Sequence, residues 1–151
     1  MTNWNKNAMD YGTTTVPKFE IIDLFQAGDF ISHAGLPLKW KIECDAISKS
    51  GWDALACMIM QYNKRPFGSV EGIPRGGIPL ANALKKYATE GPPMIVDEVY
   101  TTGKSFDDYV YEHYRTMSFD YNPKWVVFAR GKIKDEHNVR ALFQMPEWSK
   151  V

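Results

Sequence analysis

Asp97 and Glu98 are adjacent carboxylates that close a short apolar run, Met94-Ile95-Val96, and shortly after them the chain becomes hydroxyl-rich at Thr101-Thr102-Gly103-Lys104-Ser105. A β-branched run that stops at two acids reads as a buried strand delivering charge at its carboxyl end. The turn that follows contains a glycine and leads into a helical pattern, so its backbone N–H groups and hydroxyls can converge on an anion. Two acids suited to ribose hydroxyls or a hydrated metal, beside a phosphate cradle, point to a sugar phosphate. A second loop, Gly72-Ile73-Pro74-Arg75-Gly76-Gly77, joins an arginine, whose planar fork matches phosphate oxygens, to glycines that admit close backbone approach.

The elements that must position these loops follow from periodicity. Phe19, Ile21, Ile22, Leu24 and Phe25 predict a short amphipathic helix from Pro17, stopped by Gly28. Between Phe30 and Cys44, Trp40, Ile42 and Cys44 alternate with Lys39, Lys41 and Glu43, a loop and strand with lysines on one face. Ser50 and Asp53 have capping-box-like spacing ahead of Trp52, Leu55, Ala56, Ile59 and Met60, which predicts a helix over 51–61 with Cys57 buried on its apolar face. A strand over 67–71 runs into the arginine loop, and Ile78, Ala81, Leu84 and Tyr87 stripe the next helix up to Gly91-Pro92-Pro93. Past Ser105, the residues Phe106, Tyr109, Val110, Tyr114 and Met117 recur at helical spacing, with Asp107 and Asp108 in the first turn. Strands at 125–129 and 139–143 complete an α/β pattern: a parallel sheet flanked by helices, with right-handed crossovers. Such a sheet binds ligands beyond the carboxyl ends of its strands, at a switch in strand order, and both candidate loops follow strands.

The chain has 151 residues, 44% of them hydrophobic and 24% charged, a globular composition for one domain over 17–151 behind an arm at 1–16. Eighteen basic residues balance eighteen acidic ones, which excludes nucleic-acid binding by bulk electrostatics. Cys44 and Cys57 form no zinc-site spacing with the histidines. The polar opening does not read as a secretory signal, and no apolar run reaches the roughly 20 residues of a membrane span. A cytoplasmic, reducing setting is the expectation.

The stretch Ile95-Val96-Asp97-Glu98-Val99-Tyr100-Thr101-Thr102-Gly103-Lys104-Ser105 resembles the phosphoribosyl-pyrophosphate (PRPP) motif of type I phosphoribosyltransferases. The loop at 72–77 is similar to that family's pyrophosphate loop, and the two occur in the family's order. More weakly, residues 28–45 are similar to the N-terminal part of orotate phosphoribosyltransferases. The resemblance implies a Rossmann-like core with a small hood from the N- and C-terminal segments, and Mg2+-dependent transfer of the 5-phosphoribosyl group of PRPP to a nucleobase with release of pyrophosphate. It assigns Asp97 and Glu98 to the ribose hydroxyls, as catalytic groups and as indirect metal contacts through water or those hydroxyls. Tyr100, Thr101, Thr102, Gly103, Lys104 and Ser105 fall to the 5-phosphate, and Pro74, Arg75, Gly76 and Gly77 to the pyrophosphate. His33, Lys39 and Trp40 are the base-site candidates. A homodimer is implied, with no nucleic-acid or membrane partner.

Two departures from the family stand out. His33-Ala34-Gly35 occupies the place of a Lys-Ser-Gly element, which detaches the chain from orotate as the base. Only residues 88–93 separate Tyr87 from Met94, where the family has a further strand and a long flexible lid. The segment at 131–138, with Lys132 and Lys134, the N-terminal arm or a partner subunit would have to replace that lid. A non-catalytic PRPP or nucleotide sensor is therefore an open alternative, and an unrelated phosphate-binding α/β domain a remoter one. Lys39 and Lys41 also read as a solvated strand face, His113 as a packing or surface residue, Trp125 and Phe128 as core, and Phe143 and Trp148 as packing under the last loop.

Overall fold

A computed structural model describes residues 22–32, 35–115 and 121–146. The arm at 1–16, the first part of the expected N-terminal helix, His33, Met117 and Trp148 lie outside the described residues.

Strand β1 (Phe25–Ile31) pairs antiparallel with β2 (Pro37–Ile42), and helix α1 (Lys49–Tyr62) follows. Then come β3 (Ser69–Gly72), α2 (Ile78–Leu84), β4 (Pro93–Tyr100), α3 (Lys104–Tyr114), β5 (Lys124–Ala129) and β6 (Arg140–Gln144). The last four strands form one parallel sheet in the order β3-β4-β5-β6. The α/β class and the parallel sheet expected from the sequence are thus present.

Alternation on the central strands divides the core into two faces. Met94 and Val96 of β4, with Trp125 and Val127 of β5, meet α1 through Trp52, Ala56 and Ile59 and α2 through Leu80, Ala81 and Leu84. Ile95 and Val126 meet α3 through Phe106 and Val110 on the opposite face. There Glu71 of β3 accepts hydrogen bonds from the Tyr109 and Tyr114 hydroxyls at 2.8 and 2.7 Å, which ties α3 across the sheet.

This arrangement corrects two expectations. The four strands run in chain order, so the described sheet contains no switch in strand order. Because α2 and α3 cover opposite faces while the strands advance in one direction, their two crossovers have opposite hands, and both cannot be right-handed.

Local differences have local causes. Leu24 and Phe25 do not continue a helix: Phe25 opens β1 and pairs with Ile42, so cross-strand partners override a short stretch of helical spacing. Helix α1 starts two residues before the expected position, because Ser48 is its cap and accepts the Gly51 N–H at 3.1 Å. Ser50 reaches only the Ser48 hydroxyl, and Asp53 pairs with Lys49. Cys57 is exposed rather than buried, since Ala56 takes the inward position and the next residue turns about 100° away. Cys44 is the buried thiol.

Truncating the two serines separately checks the cap. Ser48→Ala should cost about 1 kcal/mol in urea denaturation and Ser50→Ala less than about 0.5. A larger loss at Ser50 would return the helix start to the position read from the sequence.

Candidate functional site

The acid pair does not end its strand. β4 continues to Tyr100, pairing Val99 with Phe128 and Tyr100 with Ala129, so Asp97 and Glu98 are set within the sheet near its carboxyl edge. Asp97 is 8% exposed, and its Oδ1 accepts the Glu98 N–H at 2.8 Å. Burial pushes its carboxyl up to about 7; the Glu98 charge adds to the rise, and the Glu98 N–H opposes it. Glu98 is partly exposed, and the Cys44 thiol donates to its carboxylate, which together with burial holds the thiol protonated.

The arginine loop reaches this pair directly. Ile73 N–H donates to the Val96 carbonyl at 2.9 Å, and Gly77 N–H closes the turn on Ile73 at 2.8 Å. A Cβ at Gly77 would lie 2.5 Å from the Val96 carbonyl oxygen, and one at Gly76 would strike the Glu98 carboxylate. Only glycines let the loop lie this close. The Pro74–Arg75 peptide is cis, and Pro74 and Arg75 are exposed; the Arg75 side chain has no partner among the described residues. The arginine loop therefore meets the acid pair of β4 at the Glu98 carboxylate.

On the other side of the pair, Gly103 caps α3 in the left-handed conformation, φ 86°. The N–H groups of Thr102, Gly103, Ser105 and Phe106 have no acceptor among the described residues, as the first turn of a helix leaves them. They form an anion cradle at the positive end of α3. Lys104 is exposed and donates to Asp108 at 2.6 Å, one turn on, so its charge lies along the helix.

The hairpin β1–β2 covers the end of β5. Arg130, directly after β5, is 2% exposed; its guanidinium lies 3.7 Å from the centre of the Trp40 ring, and its Nη2 donates to the Trp40 carbonyl at 2.6 Å. The Arg130 Nε is buried without a partner. Arg130 was not singled out in the sequence, although an arginine at the end of five buried residues is itself a signal. Lys39 is not brought to this group: it projects from the opposite side of β2 and pairs with Asp29 at 2.5 Å. His113 is exposed and stacks on Tyr109, and Phe128 stacks on the exposed Phe143.

A further group was also missed. His137 is buried, 2.7 Å from the Tyr100 hydroxyl through Nδ1 and 3.0 Å from Asp107 Oδ1 through Nε2. Among the described residues no cluster of three or more His, Cys, Asp or Glu side chains could hold a metal ion, and no helix is long and apolar enough to cross a membrane.

No sequence-family model and no curated protein matches the chain. Solved structures do. Orotate phosphoribosyltransferase from Aeropyrum pernix superposes with a TM-score of 0.61 at 18% identity, over 80% of this chain and 88% of that one. The enzyme of the same name from Mycobacterium tuberculosis H37Rv gives 0.61 at 13%, over 82% and 90%. UMP synthase from Leishmania donovani gives 0.62 at 14%, over 84% of this chain and 36% of that longer one. The fold is that of the type I phosphoribosyltransferases. At these identities the likeness shows the phosphoribosyltransferase fold, here with a separate antiparallel hairpin beside the parallel sheet, and not the reaction.

The raised Asp97 carboxyl carries a signed stability effect. Folded protein holds this proton more tightly than unfolded protein, so its contribution to stability falls as pH rises from about 4 to about 7 and is flat above. Without added divalent cation, Asp97→Asn should be more stable than the parent at pH 8 by about 1–3 kcal/mol, and should lose that advantage at pH 4. Equal differences in denaturation free energy at both pH values would mean that Asp97 is ionised throughout.

Proposed function

We propose that the protein transfers the 5-phosphoribosyl group of PRPP to a nucleobase. The observation that carries this reading is the contact between the arginine loop and the acid pair, where the Glu98 carboxylate lies against Gly76. A ribose held by the acid pair has the α3 cradle on one side for its 5-phosphate. The arginine loop lies on the other, for the pyrophosphate at the anomeric carbon.

In the reaction the bond from the anomeric carbon to pyrophosphate oxygen breaks, its electron pair leaves with the pyrophosphate, and a base nitrogen forms the new bond. Negative charge grows on the leaving group and positive charge on the ribose ring. Arg75 and the N–H groups of its loop would receive the first, and Asp97 and Glu98 would favour the second. The planar ring of Trp40, held by Arg130, is a suitable face for the base. Asp97 and Glu98 would hold a magnesium ion through water and substrate oxygens rather than by direct caging. When bound it would neutralise charge on the pyrophosphate.

The reading as a PRPP sensor without turnover draws on the brief link between α2 and β4. It contains one 3-10 turn, Lys85–Tyr87, and five further residues before β4, and so has no length for a lid. Incubation with magnesium, PRPP and a panel of nucleobases, following pyrophosphate release and PRPP binding together, separates the two. Turnover with one base is expected. Binding without turnover on any base selects the sensor, and absence of binding removes both. The double variant Asp97→Asn, Glu98→Gln should lower kcat/KM by about 100-fold or more while the fold persists by circular dichroism.

A further inference from the structure

His137 lies outside every motif read from the sequence, yet it is buried beside the α3 cradle. The 3-10 turn Asp135–His137 delivers it from the segment after β5, and its ring has partners on two other elements. A carboxylate accepts only, so the bond to Asp107 assigns the proton to Nε2. Nδ1 then accepts from the Tyr100 hydroxyl, and the hydroxyl oxygen stays open to the Lys134 N–H, which donates to it at 3.2 Å. This proton arrangement satisfies the bonds from Lys134 through Tyr100 to Asp107. Burial raises the Tyr100 pKa, which keeps that phenol a donor.

The ring is also a floor. A Cβ at Gly103 would strike His137 Cε1 and Nδ1 and would stand 2.6 Å from the Tyr100 oxygen, so the cradle's glycine rests directly on the imidazole. Tyr100 precedes the cradle, Asp107 follows it on α3, and His137 bonds to both. The path of residues 101–103 between those two anchors is therefore set by one side chain.

We propose that His137 is a positioning residue of the anion cradle: its ring supports Gly103, and its two nitrogens fix Tyr100 and Asp107 at either end of residues 101–103. This rests on the reading of that cradle as the 5-phosphate site. It also gives the segment at 131–138 a role, since the same bonds hold the Lys134 backbone against Tyr100.

The test compares two probes of one active site. Titration calorimetry of the full chain with ribose 5-phosphate reads the α3 cradle, and with inorganic pyrophosphate reads the arginine loop. His137→Phe keeps a ring beneath Gly103 and removes both hydrogen bonds; it should weaken ribose 5-phosphate about 10-fold or more and pyrophosphate less than about 2-fold. His137→Asn, which restores an acceptor near Nδ1, should recover part of the loss. If His137→Phe does not fold, Tyr100→Phe removes one hydroxyl and makes the same comparison. Equal weakening of both probes, or no change in either, overturns the positioning role. Failure of the parent protein to bind ribose 5-phosphate instead overturns the phosphate reading itself, and the proposal with it.

Discussion

The hydrogen bond from Ile73 to the Val96 carbonyl holds the site together, because it fastens the arginine loop to β4 one residue before the acid pair. It is possible only because Gly77 leaves room over that carbonyl and Gly76 leaves room for Glu98. Strand β4 supplies both halves of the contact. Its amino half, Met94 to Val96, is fully buried and rigid, and its carboxyl half carries the acids out to the edge under continued pairing with β5. The core thus fixes the height at which the carboxylates stand relative to both loops.

The same strand accounts for the unusual connection before it. Helix α2 shares its face with α1, and the chain returns from it to β4 through residues 85–92, beside β3. Thr89 N–H and Gly68 N–H bond to Phe67 and Pro92, so the return path is itself stitched to the start of β3. A strand inserted on the open edge of β3 between α2 and β4 would reverse the direction of the α2 connection and give it the hand of the next one. The family pattern has a strand and a lid at this place in the chain. Their absence, with α2 kept on its face, leaves crossovers of opposite hand, an arrangement found in only about 2% of such units.

What could be read from the sequence was whatever local pattern decides. The apolar runs at 94–96 and 125–129, the helical spacing after Gly77 and Gly103, and the glycines of the two loops all state their role within a few residues. What could not be read depends on distant partners. The acids looked like a strand end because charge usually marks one; pairing to Phe128 and Ala129 keeps β4 going. Phe25 looked helical until β2 supplied Ile42 as its partner. His137 is 37 residues from Tyr100, and no spacing rule joins them. The one available signal was Tyr100 itself, a phenol in a buried strand, which needs a partner for its hydroxyl.

The buried acid and the supported cradle are two solutions to one problem. A site for a ligand with phosphates at both ends must hold positive N–H dipoles and negative carboxylates a few residues apart, without letting them collapse onto each other. Asp97 meets this by burial, which favours its neutral form, and the first N–H groups of α3 have no acceptor among the described residues. The cradle meets it from below. His137 uses the Asp107 carboxylate and the Tyr100 hydroxyl, so the acid nearest the cradle is paired beneath it. The donors at Thr102, Gly103 and Ser105 are then kept for an incoming anion, and the cost of holding them open is borne by a core assembled from three separate segments of the chain.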